Sequence, residues 1–146
     1  MKEPIIFDGK AATNSKMLDD YKRIIQIPFA NPKMDDERRT IHEEDNEANQ
    51  SSTKAFLIKA GGLPLGNHFH LKKTEVFCIL EGKVELLVTN DQDQTYRREY
   101  RNISAGSMII MPPGVAHTFF LAPDSKMICY GTGCFDPTDM TALKLA

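Results

Sequence analysis

The stretch GLPLGNHFHLKKTEVFCILEG, residues 62–82, decides the fold. Its second half, EVFCILE (75–81), is a short apolar run closed by Gly82, and its first half sets His68 and His70 two apart. Residues i and i+2 of a strand share a face, so both imidazoles project into one space if GNHFH is extended. Glu75 lies five positions beyond His70, past the polar LKKT segment. A hairpin returning there sets its carboxylate beside the two rings. Two imidazoles and a carboxylate can hold Zn, Fe, Mn, Ni or Cu, although an HxH pair also occurs by chance on surface strands.

Working outward, the same texture continues. KAFLIKA (54–60), KVELLVT (83–89), QTYRREYRNI (94–103), SMIIM (107–111), HTFFLA (117–122) and KMICYG (126–131) all read as strands. Between them stand Gly61-Gly62, Asn90-Asp91, Ala105-Gly106, Pro112-Pro113-Gly114 and Pro123-Asp124, residue types that favour turns. Short strands with no long helix between them predict an all-β antiparallel sandwich or barrel. His117 opens its run just after the PPGVA turn. If that strand pairs beside GNHFH, a third imidazole joins the first two, leaving open positions for water or substrate.

The flanks read differently. Residues 35–50, DDERRTIHEEDNEANQ, hold seven acids and two arginines with only Ile41 and Ala48 apolar, which predicts a solvated loop. Upstream, Met17, Leu18, Tyr21, Ile24 and Ile25 fit a helical face, but RIIQIPF reads equally as a strand over 23–27 stopped by Pro28. At the other end, Asp136, Pro137 and Asp139 suit the cap, first turn and first-turn acid of a short C-terminal helix. The expected division is an N-terminal extension with an acidic loop over 1–53, a barrel over 54–135 and a short segment over 136–146, all in one domain.

Composition limits the function classes. The 146 residues carry a net charge of −2 with 41% hydrophobic and 26% charged residues, so the chain is globular and lacks the basic excess of a nucleic-acid or anionic-membrane binder. Nothing approaches roughly 18 consecutive apolar residues, and MKEPIIFDGK has no signal-peptide core, so a cytoplasmic protein without a membrane partner is expected. Three cysteines cannot make a disulfide framework. Cys129 and Cys134 therefore read as ordinary thiols, and Cys78 as a small buried hydrophobe.

The spacing of glycines, prolines and ligand-type residues then resembles the two motifs of the cupin superfamily. Gly62, five residues, His68, one, His70, four, Glu75, six, Gly82 matches the first motif. Gly106, five residues, Pro112, one, Gly114, two, His117 matches the second, with 23 residues between the blocks. The family pattern ends in Asn where this chain has Leu121. The resemblance implies a single-domain cupin jelly roll, a small β-barrel in which His68, His70, Glu75 and His117 are the ligands of a divalent transition metal (Zn, Fe, Mn or Ni). Gly82 and Gly114 suit turn positions with positive φ.

Within the superfamily, GNHFHLKKTEVFCILEGKVEL is similar to cupins of nucleotide-sugar pathways, particularly the C-terminal domain of capsular-polysaccharide reductases. IPFANPKMDDERRTIHE is similar in layout to the opening of deoxysugar epimerases and ketoisomerases, with Arg39 where their turn has Gly. This implies metal-assisted isomerisation or epimerisation of a small polar molecule, sugar- or keto-acid-like, in which a metal polarises a carbonyl while a second group removes the neighbouring proton. Candidates for that group are Tyr96, Tyr100, Tyr130 and His42. The alternatives are an Fe- or Cu-dependent dioxygenase and a non-catalytic small-molecule-binding cupin. Arg97, Arg98 and Arg101 suit phosphate recognition but read more simply as a solvated outer face. Apolar residues on both faces of 75–80 predict a homodimer, one face filling the barrel and the other covered by a second copy.

Overall fold

The computed structural model describes residues 4–7 and 34–146. The strand expected over 23–27, with its helical alternative, lies outside these residues. Twelve strands are present among the described residues: β1 (Ile5–Phe7), β2 (Met34–Asp35), β3 (Arg39–Asn46), β4 (Ser51–Ile58), β5 (Leu65–His70), β6 (Glu75–Glu81), β7 (Lys83–Asn90), β8 (Arg98–Ser104), β9 (Met108–Met111), β10 (Ala116–Leu121), β11 (Lys126–Thr132) and β12 (Met140–Ala142). They form a seven-stranded sheet in the order β1-β9-β6-β11-β4-β3-β2 and a five-stranded sheet in the order β12-β5-β10-β7-β8. Every pairing is antiparallel. This is the all-β jelly roll that the strand pattern predicts, as two facing sheets rather than one closed barrel.

The core lies between the sheets because each strand alternates. On β6, Glu75, Phe77 and Ile79 are buried while Val76, Cys78 and Leu80 are only half-buried. Phe77, Ile79, Ile109 and Met127 of the larger sheet meet Leu87 and Phe119 of the smaller one. A second cluster, Phe69, Val88, Ala116 and Leu145, covers the outer side of the five-stranded sheet. Gly82 and Gly114 adopt φ of +74° and +81°, as the turn reading requires. At Gly82 a Cβ would also stand 2.1 Å from Ser125 Oγ, so the β6–β7 turn admits no side chain there.

Three expectations need correction. The acidic stretch 35–50 is mostly strand: β3 pairs with β4 from Arg39↔Ile58 to Asn46↔Ser51. Backbone pairing supplies what composition withholds, and the cross-strand Glu43↔Lys54 pair opposes unlike charges. The C-terminal helix is a single 3-10 turn, Pro137–Asp139, capped by the Asp136 side chain through Thr138 N as its residues suggest. It stops because Met140–Ala142 instead extend the free edge of β5 as β12. The run 94–103 becomes strand only at Arg98. Before that, Asn90 and Asp91 capture the amides of Thr95 and Tyr96, fixing a turn that competes with pairing. Strands β3 and β12, which lie outside 54–135, belong to the two sheets.

Candidate metal centre

The ladder between β5 and β10 builds the imidazole cluster. His117 is the cross-strand partner of His68, so the two rings share the inner face, and His70 follows two residues on. Ring centroids lie 4.8 Å apart for His68 and His117 and 5.1 Å apart for His68 and His70. A bulge sets this register: His117 pairs with His68, but Thr118 pairs with Gly66, leaving Asn67 as the extra residue at φ +59°. One inserted residue exchanges the faces, so Leu65 and His68, three apart, both point inward. Asn67 is fixed from outside, its Oδ1 accepting from Leu145 N at 2.9 Å and its carbonyl from Leu143 N at 2.8 Å. Gly66 permits the close approach, since a Cβ there would lie 2.6 Å from the His117 carbonyl oxygen.

Glu75 arrives from the opposite sheet at the start of β6. Its Oε1 lies 3.3 Å from His70 Nε2 and 3.5 Å from His117 Nε2. His68, His70 and Glu75 each offer a ligand atom within 4.8 Å of the others, a group that could hold a metal ion. The structure thus brings all four sequence-nominated residues together. His70 Nε2 and Glu75 Oε1 are buried yet lack a hydrogen-bond partner in suitable geometry. Buried polar atoms are seldom left so, and their convergence fits a cation bound by nitrogen and oxygen donors. His117 Nδ1 lies 3.1 Å from the Val115 carbonyl. A proton on Nδ1 donates to that carbonyl and leaves Nε2 as the acceptor facing the cluster.

The far side of Glu75 is equally organised. Lys54 Nζ donates to Oε2 at 3.3 Å and the Cys129 thiol donates to the same oxygen at 3.4 Å. Burial pushes the Glu75 carboxyl up, but the adjacent His70 ring and the Lys54 charge outweigh it and hold it well below the usual carboxylate range. Burial, with the Glu75 charge beside it, pushes the Cys129 thiol well up, so it remains a donor. Burial, and then the His117 ring, lower His68 to about 3, and burial lowers His117 too. Cysteines 78, 129 and 134 are all free thiols.

Some participants carried no signal that the sequence reading used. Asp139, in the 3-10 turn, accepts from the amides of Leu71, Lys72 and Lys73 and places Oδ2 3.8 Å from His70 Nδ1. It lies behind a site histidine, beyond hydrogen-bond reach of its ring. Arg39, Glu43 and Lys54 line a cavity of about 420 Å³ together with His68, Glu75 and His117. Their inward positions follow from the alternation of β3 and β4, and the acidic composition concealed the first of these strands. None of the four candidate bases lines that cavity. Tyr130 is 45% exposed on the outer face of β11, and His42 alternates with the cavity-lining Ile41 and Glu43. Tyr96 lies under the Arg98 guanidinium at 3.7 Å, and Tyr100 packs on the core. Arg97 and Arg101 pair with Glu99 on the surface.

CapF, the capsular polysaccharide assembling protein from Staphylococcus aureus, superposes with a TM-score of 0.66 and 23% identity over 77% of this chain and 34% of its own. The chain thus spans about a third of the length of CapF. A Streptomyces PAC13 variant with uridine aligns at a TM-score of 0.63 and 10% identity over 82% of this chain and 91% of its own. Procruciferin, the 11S globulin of Brassica napus, gives 0.64 and 10% over 78% of this chain and 30% of its own. These likenesses establish a cupin fold. No curated protein matches the sequence. The model of one family does match, over residues 34–140, and the chain belongs to that family: the polysaccharide biosynthesis C-terminal domain.

Proposed function

We propose that this chain is a metal-dependent cupin of a polysaccharide-building pathway that isomerises or epimerises a sugar- or keto-acid-like molecule. In this reading His68, His70, Glu75 and His117 hold one divalent transition metal. The observation that carries it is the meeting of three imidazoles with Glu75 Oε1 at a cavity of about 420 Å³, two of the converging atoms being buried without hydrogen bonds. A metal held there supplies Lewis acidity, polarising a carbonyl and favouring negative charge on its oxygen. The chain supplies the rest. Glu43 is the carboxylate that lines the cavity apart from the imidazole cluster, and it accepts the proton from the carbon next to the carbonyl and returns it. Lys54, its cross-strand neighbour, holds Glu75 in place. Phe77 and Phe119 restrict water.

The test is incubation of the metal-reconstituted protein with a nucleotide-linked keto-sugar in D2O. Deuterium entering the carbon beside the carbonyl is expected, and Glu43→Gln should abolish it with metal content unchanged. Oxygen uptake without exchange would redirect the assignment to an oxygenase. A homodimer covering the outer face of β6, where Val76, Cys78 and Leu80 are half-buried, belongs to the same proposal. Sedimentation equilibrium should return twice the chain mass.

A further inference from the structure

We infer that the cavity carries a second recognition element, an oxyanion-binding fork at Arg39, so that it takes a sugar-sized molecule bearing a carboxylate or a phosphate. The size of that molecule rests on the proposed function; its charge rests on Arg39. Arg39 sits on β3 and lines the same cavity as the imidazole cluster, with its side chain 11% exposed.

Its donors are incompletely used. Among the described residues Nη2 reaches only the Met34 sulfur, at 3.3 Å, a weak acceptor. Nε and Nη1 are buried and, among the described residues, have no hydrogen-bond partner. The nearest acid, Asp36, keeps Oδ2 3.8 Å from Nη1, beyond hydrogen-bond reach. That carboxylate is already occupied, accepting from Arg38 N, Nε and Nη2 and from the Arg39 amide. A guanidinium cannot shed its charge, and burying its N–H groups unpaired is costly. The fold therefore leaves the Nε–Nη2 edge, one donor unpaired and the other held by a thioether, as the fork from which a planar oxyanion could accept.

The other cavity-lining charges do not compete for this role. Lys54 is engaged by Glu75 Oε2 at 3.3 Å. Glu43 is four residues further along β3, roughly 13 Å between Cα atoms in an extended strand, and the charges acting on Arg39 are those of Arg38 and Asp36. The same interval separates the fork from the level of Lys54 and the metal cluster, since Lys54 is the cross-strand partner of Glu43. The cavity of about 420 Å³ that Arg39 and the imidazoles both line is of a size for one sugar ring with a charged substituent. Ile41, Phe56, Leu65 and Phe119 wall this interval with apolar surface suited to the C–H face of such a ring.

The experiment titrates zinc-loaded protein with a hexose 1-phosphate, a hexuronate and the neutral hexose, measuring zinc content on the same samples. At least one charged probe should bind about tenfold more tightly than the neutral sugar, a preference that a bidentate charge-assisted contact supplies. Whichever charged probe binds better distinguishes phosphate from carboxylate. Arg39→Gln should erase the preference, and Arg39→Lys should restore part of it, with zinc content unchanged. Equal binding of charged and neutral probes, a preference surviving in Arg39→Gln, or no binding of any probe would overturn the inference. If Arg39→Gln does not fold, the wild-type ranking and its suppression by inorganic phosphate still decide. Absence of zinc from the wild type would defeat the metal assignment separately, and the probe ranking would then be read in metal-free protein.

Discussion

Lys54 Nζ stands 3.3 Å from Glu75 Oε2, the carboxylate oxygen opposite the one that meets His70 and His117. The lysine thus orients Glu75 from behind, with the Cys129 thiol as its companion donor. Removing one partner of a buried pair leaves the other charge uncompensated, at a cost of about 3 kcal/mol or more. Lys54→Met should lower the denaturant midpoint of the metal-free protein accordingly and weaken metal affinity about tenfold or more, as loss of an outer partner does. Chelator competition and urea unfolding on the same variant check both; unchanged metal affinity would show that Glu75 needs no support.

His70→Ala and His117→Ala should each lose metal sharply while the metal-free chain still folds. Both side chains lie at the cluster, His70 8% and His117 2% exposed, and the apolar core is built elsewhere by Phe77, Ile79, Leu87 and Phe119. Metal content and thermal melting measured together are the check. Full metal retention in both variants, or failure of both to fold without metal, would remove the ligand assignment.

Acid should weaken the metal-free protein before its carboxylates titrate. His68 is lowered from 6.5 to about 3 by burial and then by His117, so across that interval the unfolded chain takes up a proton that the folded chain refuses. Stability must then rise with pH between about 3 and 6.5 and fall on acidification through that window. His117, also lowered by burial, adds to the slope. Melting temperature against pH for wild type and His68→Gln should show a shallower decline in the variant.

Asn67→Ala should loosen the bulge that aims the histidines. It removes the acceptor for the Leu145 amide and places alanine at φ +59°, a conformation costing about 1 kcal/mol for a residue with no side-chain compensation. Melting should drop, and metal affinity should weaken with it. Asn67→Gly keeps the backbone and loses only the side-chain bonds, so an intermediate result is expected. Equal behaviour of the two variants would mean that φ contributes nothing.

How far the sequence discloses this site depends on which signal each residue carried. β6 runs from Glu75 to Glu81, as its apolar run and terminal glycine predict, because both faces of that strand carry apolar side chains and Gly82 cannot be replaced against Ser125. The HxH pair, Glu75 and His117 were visible because ligand-type residues at strand spacing leave a local pattern. Arg39 and Glu43 were hidden: seven acids outweighed an alternation with a single apolar member, Ile41, and pairing with β4 stabilises that strand from outside its own sequence. Asp139 was legible as a first-turn acid but not as a neighbour of His70, since the two are brought together by β12 closing on β5. The Asn67 bulge changes parity without changing composition, so only the register reveals it.

The place of β3 within its sheet has a consequence for how such domains diversify. Among the described residues only the two of β2 lie beyond it, whereas the candidate metal centre draws on β5, β10 and β6. The hairpin of β3 and β4 carries Arg39, Glu43 and Lys54, while the two histidine strands belong to the other sheet. If Arg39 reads the ligand's charge as inferred, a change there alters what the cavity selects without passing through the strands that set imidazole geometry. Selectivity and metal chemistry can drift at different rates in this architecture, and exchanging β3 between related chains is the direct way to transplant one without the other.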